Sequence, residues 1–451
     1  MRTNFNELQL KDPFINEADA MLRRCVHCGF CNATCPTYVL TGDERDSPRG
    51  RIYLIKEMFE QGEVTAATTL HMDRCLSCYS CMTTCPSGVD YMHLSDLART
   101  RIERSGHRSL PQRVMRSALS RILPHPRRFR LALLFGWLMR PFRGIFAKLK
   151  LKRVAAALQL VPARPPRLKL RKRKGMIRTT EPTKIKRVAL MLGCVQEVLR
   201  PAINRSAIRL LKRHGVDVLV LQDETCCGGL VQSMGRERDA LITARRNVDS
   251  WSAALREGQI DAILVTASGC GTMLKDYGHL LARDRGYGAR AAEISKLARD
   301  ITEFMEEIGL TTPIMWTSLR VAYHAPCSLE HGQRAVAEPR SLLEQAGYTV
   351  VEVPEGHLCC GSAGTYNILE PKLAGELKDR KLANIASVHP DVIATGNIGC
   401  MTQLAGGDIP IVHTVELLDW ATGGPCPEAL VRLKDKAHPV KALMEIATVG
   451  V

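Results

Sequence analysis

Residues 25–36 read CVHCGFCNATCP, and residues 75–86 read CLSCYSCMTTCP. Each cysteine of the second copy lies fifty positions after its counterpart, so Cys25, Cys28, Cys31 and Cys35 recur as Cys75, Cys78, Cys81 and Cys85. Three thiolates at three-residue intervals can wrap one cubane iron–sulfur cluster. The fourth, turned away by the proline that follows it, reaches a second cluster. The spacing therefore predicts one [4Fe-4S] cluster on Cys25, Cys28, Cys31 and Cys85, and another on Cys75, Cys78, Cys81 and Cys35. Structural zinc is the plainer alternative, but zinc sites seldom use three cysteines at this pitch followed by a fourth and a proline.

Working outward, the helical pattern between the two runs, SPRGRIYLIKEMFEQG, has Pro48 near its start and Gly62 at its end. Ile52, Ile55 and Phe59, with Leu54 and Met58, form its apolar stripe. The arrangement is that of a small two-cluster ferredoxin-like module over residues 1–100, and a module so small draws much of its folding energy from its inorganic core.

The chain has 17 cysteines in 451 residues, and eight more fall into two later groups. Cys194, Cys226 and Cys227 recur as Cys327, Cys359 and Cys360 at an offset of 133, and Cys270 recurs as Cys400 at 130. Both copies carry Cys-Cys-Gly, in ETCCGGL and HLCCGSA. Adjacent cysteines do not readily bridge one another, and the glycine permits close backbone approach. The strand-like runs VALMLGC, VDVLVLQD and DAILVTASGC, then VAYHAPC, YTVVEVP and DVIATGNIGC, alternate with helical ones, as in parallel α/β units. The cysteines fall at or just after strand ends, where open α/β sheets place their ligands. Two pseudo-repeated α/β cysteine-rich domains are expected, over 188–318 and 319–451, each with a cluster or zinc on its four cysteines. Buried apolar thiols are the bland alternative. Cys426 has no counterpart and is expected to be inert.

The net charge of +17 is concentrated. Between Arg101 and Arg187 there are 26 Lys and Arg against Glu103 and Glu181, a local +24 that leaves −7 for the rest. This basic helical linker, 101–187, contains LALLFGWLM at 131–139, too short to cross a bilayer. Basic residues beside a short apolar, tryptophan-bearing stretch fit an anionic membrane surface, and equally a connector packed on an acidic partner subunit. Few aromatics and no binding motif argue against nucleic acid. The first residues show no apolar run, so no secretory signal is expected, and cysteines kept in a reducing compartment bind metal more often than they pair. No strand-borne G-x-G-x-x-G and no Walker A pattern occurs, so nothing here binds flavin, nicotinamide or ATP by a recognisable motif. His27, His324 and His357, all close to cysteines, read as packing or hydrogen-bonding residues, with His324 or His357 able to tune a centre from outside its ligand set.

The double cysteine motif, DSPRGRIYLIKEM, EGHLCCGSAGTYNILEP and TGNIGCMTQL resemble the iron–sulfur subunit of bacterial glycolate oxidase (glycolate dehydrogenase) over roughly residues 15–105 and 185–425. The resemblance implies an α+β chain acting in an oxidoreductase complex as an electron-transfer subunit with no catalytic residue of its own. Flavoprotein subunits would oxidise glycolate to glyoxylate, with the flavin on them. Electrons would pass through this chain towards a quinone, in the cytoplasm or peripherally on the inner face of the bacterial cytoplasmic membrane. Related cysteine-rich domains occur in lactate-utilisation proteins, anaerobic glycerol-3-phosphate dehydrogenase and heterodisulfide reductases, so the corresponding subunit of a D-lactate or glycerol-3-phosphate enzyme, or a disulfide-reducing catalytic subunit, is the alternative. The wider group ends its repeat in C-x-x-C; here Met273 and Gln403 stand in that last position, which weakens the disulfide-reducing reading and favours a relay.

Overall fold

The computed structural model describes residues 1–149, 151–163, 175–179, 186–258 and 260–439. The RKRK run at 171–174 in the basic linker lies outside these described residues. The architecture is α+β: a helical N-terminal module, a helical connection, and two sheets of matching topology.

In the module, α1 (Pro13–Arg24), α2 (Pro48–Gln61), α3 (Ala66–Asp73) and α4 (Tyr91–Ser105) enclose a core that includes Leu22, Ile55, Met72 and Leu94. The Ser47 hydroxyl accepts from the Gly50 amide at the start of α2, Pro48 occupies its first turn, and Gly62 ends it in the left-handed region. The connection is built from α5 (Leu110–Ile122), α6 (Pro126–Met139), α7 (Arg143–Lys148) and α8 (Lys152–Gln159). Phe129 and Leu133 of α6 pack with Val195, Val198 and Leu199, which ties the connection to the first cysteine-rich half.

The first half runs β1 (Gly175–Ile177), β2 (Lys186–Met191), α9 (Pro201–Arg213), β3 (Val216–Val220), α10 (Glu237–Arg256), β4 (Ala262–Val265), α11 (Ser268–Lys275), α12 (Gly288–Leu297), β5 (Ala298–Asp300) and α13 (Ile301–Ile308). The second runs β6 (Met315–Thr317), β7 (Arg320–Tyr323), a wide helical turn at Ser328–Gln333, α14 (Glu338–Gln345), β8 (Thr349–Val351), α15 (Pro371–Ala386), β9 (Val392–Thr395), α16 (Ile398–Leu404), β10 (Ile411–His413) and α17 (Thr414–Ala421), and closes with β11 (Ala437–Pro439). Spatial order is β1-β3-β2-β4-β5 in one sheet and β10-β9-β7-β8 in the other. Apart from the antiparallel edge strand β1, both are parallel and share one order, in which the first strand of the repeat sits between its second and third. A β6–β11 antiparallel pair brings the end of the described chain back to the start of the second half.

The central strands are buried on both faces, as parallel sheets covered by helices require. Val188 and Leu190 of β2 face a core continuous with Val321, Ile393 and Val412 of the other half, whereas Ala189 and Met191 face Trp251 and Tyr277. The period of two along β2 thus joins the halves into one body on one side and packs α10 and α11 on the other. Arg209 and Arg213 of α9 both donate to the fully buried Asp419 of α17, Arg209 Nε at 3.0 Å, adding a charged clasp to that interface.

Candidate metal centres

Both cysteine runs fold into the same hook. The Cys25 amide donates to Leu22 O at 3.0 Å and the Cys75 amide to Met72 O at 3.2 Å; Asn32 bonds Gly29 O at 2.9 Å as Met82 bonds Tyr79 O at 2.8 Å. His27 (φ 57°) and Gly29 (φ 84°) take left-handed conformations, and so do their counterparts Ser77 (φ 49°) and Tyr79 (φ 63°). Two reversals in five residues curl each run so that its first three side chains converge, and they turn successive amides to the inside, a backbone concavity suited to anions. Tyr79 adopts this conformation without being glycine, at a local cost of about 1–3 kcal/mol that the surrounding structure must offset.

Cys25, Cys28, Cys31 and Cys85 line one cavity, and Cys35, Cys75, Cys78 and Cys81 line a second, with Cys81 also at the edge of the first. Cys85 thus lies with the first three cysteines of the first run, and Cys35 with those of the second. Cys25, Cys35, Cys75, Cys78 and Cys81 are buried, Cys31 and Cys85 half-buried, and Cys28 exposed. Burial pushes Cys31 up to about 11 and drives Cys78 and Cys81 well above their ordinary value. Burial acts on Cys75 as well, but the guanidiniums of Arg51 and Arg99 outweigh it and hold this thiol below its ordinary value. Arg51 is fully buried; it donates to Cys35 Sγ at 3.7 Å, Thr37 Oγ1 at 3.0 Å and His71 O at 2.8 Å. Arg99 donates to Cys75 O at 2.7 Å. Asp46, also buried, accepts from Arg74 at 2.9 Å and lies 2.8 Å from His71 Nδ1, which completes a charged layer beneath the second cavity. A group carrying several thiolates needs such fixed cations in a dry site, so these residues fit an iron–sulfur cluster. Arg51 lies inside a stretch the sequence marks, but neither its role nor that of Arg99 is visible in any spacing.

The later cysteines also converge. Cys194 and Cys226 sulfurs are 3.3 Å apart, Cys227 and Cys270 3.3 Å, and Cys327 and Cys359 3.8 Å. Two thiolates bonded to one metal at ~2.3 Å stand about 3.8 Å apart in a tetrahedral arrangement, so each pair can share a metal atom. All seventeen cysteines are free thiols. Cys226, between the hydrogen bonds of Cys194 and Cys227, is lowered well below its ordinary value, while the same contacts raise those two neighbours. Gly228 (φ 90°) and Gly361 (φ 87°) follow the paired cysteines in the two halves, and a Cβ on Gly361 would stand 2.6 Å from Ala374 O of α15. Only glycine satisfies both demands, which is why the motif ends as it does.

Buried Asn247 and Tyr277 hold the first pair by its carbonyls: Asn247 Nδ2 donates to Cys226 O at 3.1 Å and the Tyr277 hydroxyl to Cys227 O at 2.8 Å. In the second half, buried Lys381 lies near Cys359 and Cys360 and donates to Glu355 O at 2.7 Å. A ring nitrogen of His324 and the sulfurs of Cys360 and Cys400 lie within 4.8 Å of one another, and burial drives this imidazole down to about 3, so it is neutral and can offer a lone pair. Its counterpart at the 133 offset is Met191, which explains why the repeat gives no signal for it. His27 flanks the first cavity, His357 takes no place in these donor sets, and Cys426 stands apart from them.

The four sets adjoin. Cys78 shares one apolar cluster with Cys359 and Cys327, closed by Leu76, Tyr366 and Leu377. The two halves meet where Ser268 and Ser328 hydroxyls lie 2.7 Å apart and Thr272 donates to Ser328 O at 2.7 Å, directly beside Cys270 and Cys327.

Comparison with known proteins agrees with this geometry. A 4Fe-4S dicluster domain model matches residues 24–89, and a cysteine-rich domain model matches 188–275 and 321–405. The chain is 41% identical over 422 residues to the glycolate oxidase iron-sulfur subunit of Escherichia coli (strain K12), covering 93% of this chain and 99% of that one. It is 31% identical to the probable glycolate oxidase iron-sulfur subunit of Bacillus subtilis (strain 168), covering 94% and 99%. A hypothetical protein from Helicobacter pylori shares the fold, with a TM-score of 0.54 at 10% identity over 95% of this chain and 76% of that one. With both kinds of cysteine-bearing domain present, in this order and over nearly the full length of these relatives, the chain belongs to the family of glycolate oxidase iron-sulfur subunits.

Proposed function

We propose that this iron–sulfur subunit of an oxidoreductase relays electrons drawn from glycolate by a flavin on partner subunits and delivers them to a quinone. Two [4Fe-4S] clusters would be held in residues 1–100 by the exchanged sets Cys25, Cys28, Cys31, Cys85 and Cys75, Cys78, Cys81, Cys35. One further iron–sulfur centre would sit in 188–318 on Cys194, Cys226, Cys227 and Cys270. Another would sit in 319–451 on Cys327, Cys359, Cys360 and Cys400, with His324 as an additional donor. Zinc has no redox chemistry and would interrupt such a path. When bound, the clusters accept and pass single electrons. The chain's own residues hold the sulfurs in place, keep water from them and surround them with the fixed charges of Arg51, Arg99 and Lys381.

The observation that carries this reading is the packing of Cys78 in one cluster with Cys327 and Cys359, which brings a thiol of the N-terminal module beside those of the second half. Oxidation of a hydroxy acid releases two electrons, and a flavin normally divides them for one-electron carriers. Four adjoining thiol sets are a path for such electrons.

The basic connection favours a location at a membrane surface. Leu131, Phe135, Leu138, Phe142, Ile145 and Leu149 recur every three or four residues along α6 and α7, and each is at least half exposed. Phe129, Leu133 and Gly136 face inward on the same helix, so α6 is apolar on both sides with its outer side uncovered. Arg127, Arg128, Arg140, Arg143 and Lys148 flank this stripe. An apolar stripe edged with cations lies stably in the surface of an anionic bilayer. Among the described residues no helix is long and apolar enough to cross a membrane.

The reading is tested by purifying the chain anaerobically with its partner subunits and adding glycolate. Iron–sulfur signals that appear on this chain with glycolate, and no glycolate oxidation by the chain alone, are the expected result. Glycolate turnover by the isolated chain would refute the relay.

A further inference from the structure

We infer that electrons leave this chain at the first cysteine-rich half, in a cavity beside Cys194 and Cys226 that receives the ring of a lipid-soluble quinone. The inference deepens the relay reading and rests on it. Three observations lead to it.

The thiol sets have two distinct ends. At one end Cys28 is exposed, with Val26 and Phe30 turned outward beside it. From there the sets follow through Cys81, shared between the first two cavities, to Cys78 against Cys327 and Cys359, and across the Ser268–Ser328 contact to Cys270. Cys194 and Cys226 form the far side of this last set. An acceptor bound there meets the end of the path, with the donor's end left free for a flavoprotein.

Second, a cavity of about 700 Å³ opens on those two sulfurs. Ligand pockets commonly enclose ~300–1,000 Å³, room for a substituted ring. Leu221, Val231 and Ile242 supply apolar wall, and His125, Arg128 and Arg246 supply polar and cationic groups among a mixed lining that also holds Glu224. Apolar wall with hydrogen-bond donors suits a ring that bears carbonyl oxygens.

Third, the cavity is lined in part by the same helix that carries the uncovered apolar stripe. Arg127 and Arg128 line the cavity, and Leu131 and Phe135 follow them at three, four and seven residues, on the same face of α6. A molecule that is dissolved in the bilayer reaches the cavity along that face without crossing water. This continuity favours a lipid-soluble acceptor over a soluble carrier protein.

The chemistry balances without another reagent. The hydroxy acid becomes the oxo acid and gives up two electrons and two protons; the quinone takes two electrons through this chain and two protons from solvent at the open mouth, and its two carbonyls become hydroxyls.

The test uses the complete complex, carrying its iron, and a benzoquinone bearing an aryl azide and a short isoprenoid tail. After illumination, labelled peptides are mapped by mass spectrometry. Label within residues 121–128 and 220–246, reduced at least tenfold in Ile242→Trp with iron content retained, is the expected result. Ile242 is 41% exposed on α10, so the larger ring fills the cavity without entering a packed core. Label confined to another part of the complex, or undiminished in a variant that keeps its iron, overturns the assignment; if the variant loses its iron, the wild-type map alone decides. Absence of any label from a complex that still passes electrons from glycolate to a soluble dye overturns the cavity and leaves the relay standing. Failure of glycolate to reduce this chain's iron overturns the relay, and the exit site with it.

Discussion

Cys78 of the N-terminal module and Cys359 of the second cysteine-rich half lie in one apolar cluster, although 281 residues separate them in the chain. The contact sets thiols of the second half, Cys327 and Cys359, beside a cysteine of the ferredoxin-like module. Cys359→Ser should therefore leave the N-terminal clusters assembled and reducible while cutting electron delivery beyond them. Electron paramagnetic resonance during glycolate addition should show the N-terminal signals persisting in the reduced state, with quinone reduction lost. Normal quinone reduction in this variant would contradict the path.

Arg99 and Arg51 place fixed positive charge beside Cys75. A nearby cation favours the more negative, reduced form of a cluster, so Arg99→Met should lower the reduction potential of the centre on Cys75 and leave that on Cys25 nearly unchanged. A redox titration followed by paramagnetic resonance measures both. Arg51→Met should be harsher, because it strips a partner from buried Asp46; breaking a buried ion pair costs ~3–5 kcal/mol, read as a fall in thermal stability.

The glycine of each Cys-Cys-Gly motif should not tolerate a side chain. Gly361→Ala sets a Cβ 2.6 Å from backbone Ala374 O, whereas at Gly228 the nearest atom is Thr243 Oγ1 at 2.8 Å, a side chain that can turn away. Both positions also demand positive φ, a strain of about 1–3 kcal/mol for alanine. Thermal unfolding should show Gly361→Ala as the more destabilised of the two, with iron lost preferentially from the second half.

His93 couples module and first half: its Nε2 lies 2.8 Å from Asp276 Oδ1, and Asp90 holds its other nitrogen. Burial disfavours the charged ring, but the two carboxylates prevail and raise it to about 10 from an ordinary 6.5. A raised histidine contributes stability that is complete below about pH 6.5 and is lost as pH climbs through about 10. Stability should therefore decline across that window, and His93→Gln should flatten the decline, as denaturant unfolding at a series of pH values would show.

The ferredoxin-like module was legible because its chemistry is local. Eight thiols at fixed spacing leave few ways to fold, and they gather around two cavities. The six strand-like runs were legible too, most clearly β3, β4 and β9, since strands buried on both faces read as continuous apolar stretches. Short strands such as β5 and β10 carry only three residues each, too few to show a period. What the chain could not display was adjacency: Arg99 beside Cys75, His324 beside Cys360, and Cys78 beside Cys359 arise from packing between distant elements. The apolar stripe of α6 lay within a segment marked by its charge, but which of its apolar faces is covered depends on Val195, Val198 and Leu199, some sixty residues on.

The stripe makes its own prediction. The wild-type complex should float with vesicles containing phosphatidylglycerol, and less with vesicles of phosphatidylcholine alone. Leu131→Asp with Phe135→Asp should release it, since both side chains are exposed and their loss disturbs no core. Flotation that is indifferent to lipid charge and to these substitutions would count against membrane docking.

Whether thiolate-held iron makes this chain a conductor of single electrons is decided by iron and acid-labile sulfide analysis of the anaerobically purified complex, with paramagnetic resonance before and after glycolate. About eight irons from the N-terminal module, further iron in the two cysteine-rich halves, and signals that appear when glycolate is added are expected. Zinc in place of iron, or iron that glycolate never reduces, would contradict the relay.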